Sequence, residues 1–199
     1  MKNLPHLIGL TGSIGMGKST TAKLFSELGI PVWDADQAVH RLYDVGGDAV
    51  QPIQKIYPAA IKNGKVSRDI LKQWIAIDQV ALKRIEGIVH PLVQKDREAF
   101  IEKTTADCIV LDIPLLFETG YAGQMDTVIV VSAPENIQKT RVLARPNMSA
   151  SQFNMIKNKQ LPDAQKRAQA DYVIETISLD SAKSAVRAVL AEIRKKLHA

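Results

Sequence analysis

The sequence predicts an α/β fold built on a parallel sheet. Two observations lead there, and a third says what the sheet presents. First, five short runs, "LIGLT" (7–11), "IPVW" (30–33), "CIVLD" (108–112), "TVIVV" (127–131) and "YVI" (172–174), are continuously apolar and rich in Val and Ile. Strands covered on both faces read this way, whereas half-exposed antiparallel strands alternate. Second, helical periodicity fills the stretches between them, the signature of parallel strands joined by crossovers. Third, a glycine cluster, "GSIGMGKS", stands directly behind the first run.

The elements follow in order. Behind the glycine cluster, Leu24, Phe25 and Leu28 share a helix face, with Gly29 as the left-handed cap and Pro31 forbidding continuation. Residues 34–107 carry no strand signal and are too many for a simple connection. They read as a helical insertion, in which Pro91 is expected to break or kink the run Ile85, Ile88, Val89, Leu92. After the fourth strand, "PENIQKTRVLARP" starts a helix near Pro134. The polar stretch 145–167 suits a mobile flap, and a helix over 179–198 carrying Ala182, Val186, Val189 and Ile193 closes the chain.

At 199 residues and 46% hydrophobic, the chain supports one substantial core with small appendages. Its single cysteine, Cys108, rules out an internal disulfide and suits a reducing compartment; within "CIVLD" it reads as buried and inert. The start "MKNLPHLIGLTGS" does not read as a signal peptide, and no segment approaches a membrane span. A cytoplasmic location with no membrane partner is expected. The net charge of +5 gathers partly in the terminal "IRKKLHA", where cations complement a helix dipole. Aromatics make up 5% and are not interleaved with basic residues, so no nucleic-acid partner is expected.

"GSIGMGKS" fits G-x-x-x-x-G-K-[ST] with Gly12, Gly17, Lys18 and Ser19 in the fixed places. Glycines let backbone N–H groups converge on an anion, and the positive end of the next helix adds to that field. The nucleotide-binding segment therefore comprises Gly12, Ser13, Ile14, Gly15, Met16, Gly17, Lys18, Ser19 and Thr20. Lys18 reaches the outer phosphates, and the Ser19 hydroxyl offers a ligand to Mg²⁺. Ligands of open parallel sheets sit beyond the carboxyl ends of the strands. Asp34 and Asp36 fall there in "VWDAD", and Asp112 in "VLDIPLLFE". Asp112 reads as the acid that holds the metal. Asp34 and Asp36 would face opposite ways if extended, so one serves as base and the other caps the next helix; spacing leaves open which. Arg141 and Arg145, four apart, share a helix face and suit transferring phosphates. His90 alone carries no metal-ligand spacing and reads as structural.

The ordered set "LTGSIGMGKST", "DAD", "HPLV", "DIPLLFE" and "ADYVI" resembles the dephospho-CoA kinase family over nearly the whole chain. The resemblance implies a P-loop NTPase of the nucleoside-monophosphate-kinase type: a five-stranded parallel sheet flanked by helices, a helical substrate-binding insertion and a lid. It implies a core of 1–36, 106–143 and 168–199, a CoA-binding insertion over 37–105 and a lid over 144–167. The implied reaction moves the γ-phosphoryl of ATP, with Mg²⁺, to the ribose 3′-hydroxyl of dephospho-CoA. By position, Asp36 is implied as the base, with Lys18 and Arg141 also catalytic and Arg145 a lid arginine on ATP. Asp34, Arg68, His90, Pro91, Leu115, Leu116 and Glu118 are implied on the substrate side, and Ser19 and Asp112 at the metal. A monomer is the favoured state. The chain departs from the family at Ser13, Met16 and Ala76, and its "IETIS" replaces an aspartate-asparagine pair after strand five. Another small-molecule kinase would share the glycine loop but lack this ordered set. A GTPase-like switch is disfavoured: no strand leads into "DVGG" (44–47), and "NKQL" (158–161) lacks the guanine-reading acid.

Overall fold

A computed structural model describes residues 4–198. In chain order the elements are β1 (His6–Thr11), α1 (Lys18–Glu27), β2 (Val32–Asp34), α2 (Ala35–Tyr43), α3 (Val50–Ile56), β3 (Ile61–Lys62), β4 (Lys65–Val66), α4 (Arg68–Ile77) and α5 (Ala81–Lys103). Then come β5 (Cys108–Asp112), β6 (Thr127–Ser132), α6 (Glu135–Leu143), α7 (Ala150–Asn158), α8 (Asp163–Ala168), β7 (Tyr172–Glu175) and α9 (Leu179–Leu197). Two compact units result, one running up to Trp33 and resuming at Thr105, the other spanning Asp34–Thr104.

The first unit is built on a five-stranded sheet of order β2-β5-β1-β6-β7. β1 pairs in parallel with β5 and β6, and β6 in parallel with β7, so the carboxyl ends of these strands share one edge. Every residue of β5 and β6 is buried, which explains why their sequences do not alternate. On one face Ile8, Leu10, Cys108, Val110, Ile129, Val131 and Ile174 meet Leu24 and Phe25 of α1 and Val186, Leu190 and Ile193 of α9. Burying a side chain such as Phe25 completely contributes about 2–3 kcal/mol. Cys108 lies inside this layer, where burial, then the neighbouring Asp107 carboxylate, pushes its thiol up to about 11. The basic tail of α9 has local partners: Arg194 pairs with Asp107, and Lys196 donates to the Tyr172 hydroxyl. α1 ends as the sequence predicts, with Gly29 at φ +78°.

The second unit has its own core of Leu42, Ile53, Val66, Leu71, Trp74, Ile85 and Val89, with Tyr57 stacked on Trp74 at 4.4 Å between ring centres. Ala76 is exposed, so it leaves no hole in that core. Two expectations need correction here. The insertion is not wholly helical, because β3 and β4 form a short antiparallel hairpin. Its turn is Asn63-Gly64, both at positive φ, the pair that suits a primed two-residue turn. Nor does Pro91 break its helix: α5 runs unbroken through it from Ala81 to Lys103. Proline removes one helical hydrogen bond and crowds the carbonyl four residues back. Ala81, Ile85, Val89 and Arg97 are buried on either side of the proline and hold the helix by packing.

Candidate active site

The glycine loop lies between β1 and α1 at the carboxyl edge of the sheet. Gly12 passes so close to β6 that a Cβ there would stand 2.6 Å from the Val131 carbonyl oxygen. Gly17 forms the N-cap of α1 at φ +93°, a conformation L side chains avoid. No side chain caps α1 and its first turn holds no acid. The orphan N–H groups of the helix start and the positive end of its dipole are therefore left for an anion.

The loop is held from outside. Ile14 donates its N–H to Gln160 Oε1 (3.0 Å) and accepts from Gln138 Nε2 at its carbonyl (2.8 Å). The Ala133 N–H points at Met16 Sδ (3.1 Å). At the end of β5, buried Asp112 takes the Lys18 ammonium in an ion pair. The adjoining turn is pinned where the Thr11 hydroxyl donates to the Pro114 carbonyl (3.0 Å). Ser19 is exposed on the first turn of α1. Asp112 and Ser19 are hard oxygen donors of the kind Mg²⁺ prefers. Among the described residues no three His, Cys, Asp or Glu side chains gather around one point.

The two arginines separate. Arg141, in the last turn of α6, spends its guanidinium on Thr176, with Nη1 donating to the hydroxyl (2.9 Å) and Nη2 to the carbonyl. Arg145 lies beyond the end of α6 and is exposed. α6 stops at Leu143, ahead of Pro146, with the Arg145 N–H still bonded to the Val142 carbonyl (3.1 Å).

The "DIPLLFE" segment also differs from expectation. Leu115 is exposed, but Leu116 is fully buried beneath Gly9 and is a core residue rather than a lining one. Glu118 accepts from the Leu161 N–H (2.8 Å) and pairs with the fully buried Lys166 ammonium (2.8 Å). Burial pushes the Glu118 carboxyl up, but Lys166 and the Leu161 N–H more than offset this and hold it below its ordinary range. Asp163 likewise receives the Ser132 hydroxyl (2.7 Å). Residues 160–166 are thus fastened at Gln160, Leu161, Asp163 and Lys166, and the flap read from the sequence has a fixed base.

In the second unit Asp34 caps α2, its Oδ1 accepting from the Gln37 N–H (2.9 Å), while Asp36 stands exposed in the first helical turn. The pair is therefore not extended. Arg68 opens α4 behind the Ser67 cap and lies 5.7 Å from the Tyr43 ring centre. His90 and Pro91 are exposed on α5. Gln138, Gln160 and Lys166 carry no spacing signal as site residues, since each meets its partner only through the fold. No helix among the described residues is long and apolar enough to cross a membrane.

Comparison with known proteins adds the following. The family model described as dephospho-CoA kinase matches residues 6–180. A dephospho-CoA kinase of Cereibacter sphaeroides is 52% identical over 191 residues, covering 96% of this chain and 97% of the relative. One of Ruegeria pomeroyi is 54% identical over 187 residues, covering 94% and 95%. The solved dephospho-CoA kinase of Campylobacter jejuni superposes with a TM-score of 0.73 at 26% identity, covering 96% of this chain and 98% of its own.

Proposed function

The chain belongs to the dephospho-CoA kinase family, and from that premise we propose that it phosphorylates the ribose 3′-hydroxyl of dephospho-CoA with ATP, giving CoA and ADP. One observation carries the reading: an uncapped helix start behind a glycine loop, with Lys18 resting on Asp112 at the carboxyl edge of the sheet. That is a site for a polyphosphate with its charge-balancing groups already in place.

The loop amides and Lys18 hold the β- and γ-phosphates, and Lys18 leaves Asp112 to do so. Asp112 and Ser19 would hold Mg²⁺, which when bound would supply positive charge against the phosphates. Asp36 accepts the proton of the 3′-hydroxyl as the new O–P bond forms and the bond between the γ-phosphorus and the β–γ bridging oxygen breaks, leaving ADP. Arg141 and Arg145 balance charge on the phosphates. Arg68, His90 and Pro91 of the second unit recognise the acceptor, with Asp34 holding the turn that presents Asp36. Leu115, exposed ahead of the fastened Glu118, is the part of "DIPLLFE" that faces the acceptor. The flap closes through α7 and limits hydrolysis by excluding water. The enzyme works as a cytoplasmic monomer.

The test is ADP release from Mg·ATP with dephospho-CoA, adenosine or AMP as acceptor, with products identified by mass. Strong stimulation by dephospho-CoA alone, with CoA formed, is expected. ATP binding without that stimulation would remove the acceptor from the reading.

A further inference from the structure

Thr176 stands just past β7. It is buried, and its polar atoms are directed inward. Its N–H donates to the Ser132 carbonyl at the end of β6 (2.9 Å), continuing the ladder of the sheet. Its hydroxyl donates to the Met16 carbonyl (2.7 Å) and accepts from Arg141 Nη1 (2.9 Å). Its own carbonyl receives Arg141 Nη2. The side chain also lies against the loop, since a Cβ on Gly17 would stand 2.8 Å from its hydroxyl oxygen.

One hydroxyl therefore joins the peptide that precedes Gly17 and Lys18 to the guanidinium of Arg141. A hydroxyl has one proton to donate and lone pairs to accept, so both bonds can exist at once. The bond from Arg141 is charge-assisted and the fork from one guanidinium to two Thr176 oxygens fixes its plane. Met16 and Arg141 lie far apart in sequence on separate elements; Thr176 sets the distance between them.

We infer that Thr176 is a positioning residue, holding Arg141 and the Lys18 end of the glycine loop in one register for the bound triphosphate. This rests on the proposed kinase reading only for its turnover measurement, because nucleotide affinity reads the same register without an acceptor.

The experiment compares Thr176→Val, which keeps shape and removes the hydroxyl, with Thr176→Ser, which keeps the hydroxyl. Each is made in the native chain and in Arg141→Lys. A fluorescent ATP analogue gives affinity, and ADP release with dephospho-CoA gives kcat and KM. Thr176→Val is expected to weaken nucleotide affinity and lower kcat/KM for ATP by about tenfold, the scale of one charge-assisted bond. Thr176→Ser should stay within about twofold of the native chain. In Arg141→Lys the Thr176→Val loss should shrink to about twofold, because the forked partner is already gone. A purely structural Thr176 would lower the melting temperature yet leave these effects simply multiplying. Multiplicative losses, a Thr176→Val protein with native affinity, or a Thr176→Ser protein as impaired as Thr176→Val would each overturn the inference. If Thr176→Val does not fold, Thr176→Ala takes its place in both backgrounds and is read by the same loss of coupling with Arg141→Lys. If the native chain binds nucleotide but ignores dephospho-CoA, the proposed acceptor fails, and Thr176 is judged on affinity.

Discussion

The glycine loop of the first unit and the candidate acceptor residues of the second are held in opposite ways. Around the loop, both backbone groups of Ile14, the Met16 carbonyl and the Met16 sulfur have partners on other elements. Asp36, Arg68 and His90 instead project as exposed side chains from helices whose packing lies on their other faces. The backbone of the glycine loop is thus preorganised, and what remains under the proposed mechanism is for Lys18 to leave Asp112 for the phosphates. The second unit holds these candidate residues on a helical scaffold, and under the proposed function their final placing is left to the substrate. A kinase gains from this division: the triphosphate is held ready while transfer waits for the hydroxyl.

The largest effect that would sharpen this comparison is chemical. Asp36→Asn is expected to lower kcat by about a thousandfold, within the range of a general base, while ATP affinity stays nearly unchanged. Steady-state turnover paired with nucleotide titration checks it, and surviving turnover would remove Asp36 as the base. Next in size is the scaffold of the second unit. Trp74 is buried and stacked on Tyr57, so Trp74→Ala should cost about 3–5 kcal/mol in urea unfolding.

A smaller effect belongs to the base of the flap. Glu118→Gln removes the partner of a fully buried ammonium. Loss of a buried pair costs about 3–5 kcal/mol, and the partial exposure of Glu118 reduces this to about 2 kcal/mol. Because the folded Glu118 carboxyl is held below its ordinary range, its contribution is present above that range and lost as pH falls through the folded value. Acid-induced loosening of residues 160–166, followed by hydrogen exchange, should therefore occur in the native chain and be absent in Glu118→Gln.

What was legible in the sequence follows the same division. The glycine loop is a local pattern, so Gly12, Gly17, Lys18 and Ser19 were readable from spacing, as were the five strands, because burial on both faces leaves an unbroken apolar run. The Lys18–Asp112 pair was half legible: each residue stood out, but their contact needs β1 beside β5. The continuity of α5 through Pro91 was not legible, since it rests on burial at Ala81, Ile85, Val89 and Arg97 rather than on local propensity. Asn63-Gly64 is a turn signal, but the two-residue strands beside it have no periodicity to mark a hairpin. Glu118 and Leu116 sit in one motif, yet one meets a buried lysine and the other the underside of Gly9; adjacency in sequence says nothing of either. That Asp34 is the one that caps α2 turns on a single bond, the one from the Gln37 N–H.

The division of labour is tested most directly by Arg68→Ala, which alters an exposed residue of the second unit only. KM for dephospho-CoA should rise about tenfold, the worth of one charge-assisted contact, while the directly titrated affinity for Mg·ATP stays within about twofold. An unchanged acceptor KM, or an equal loss of ATP affinity, would contradict the account.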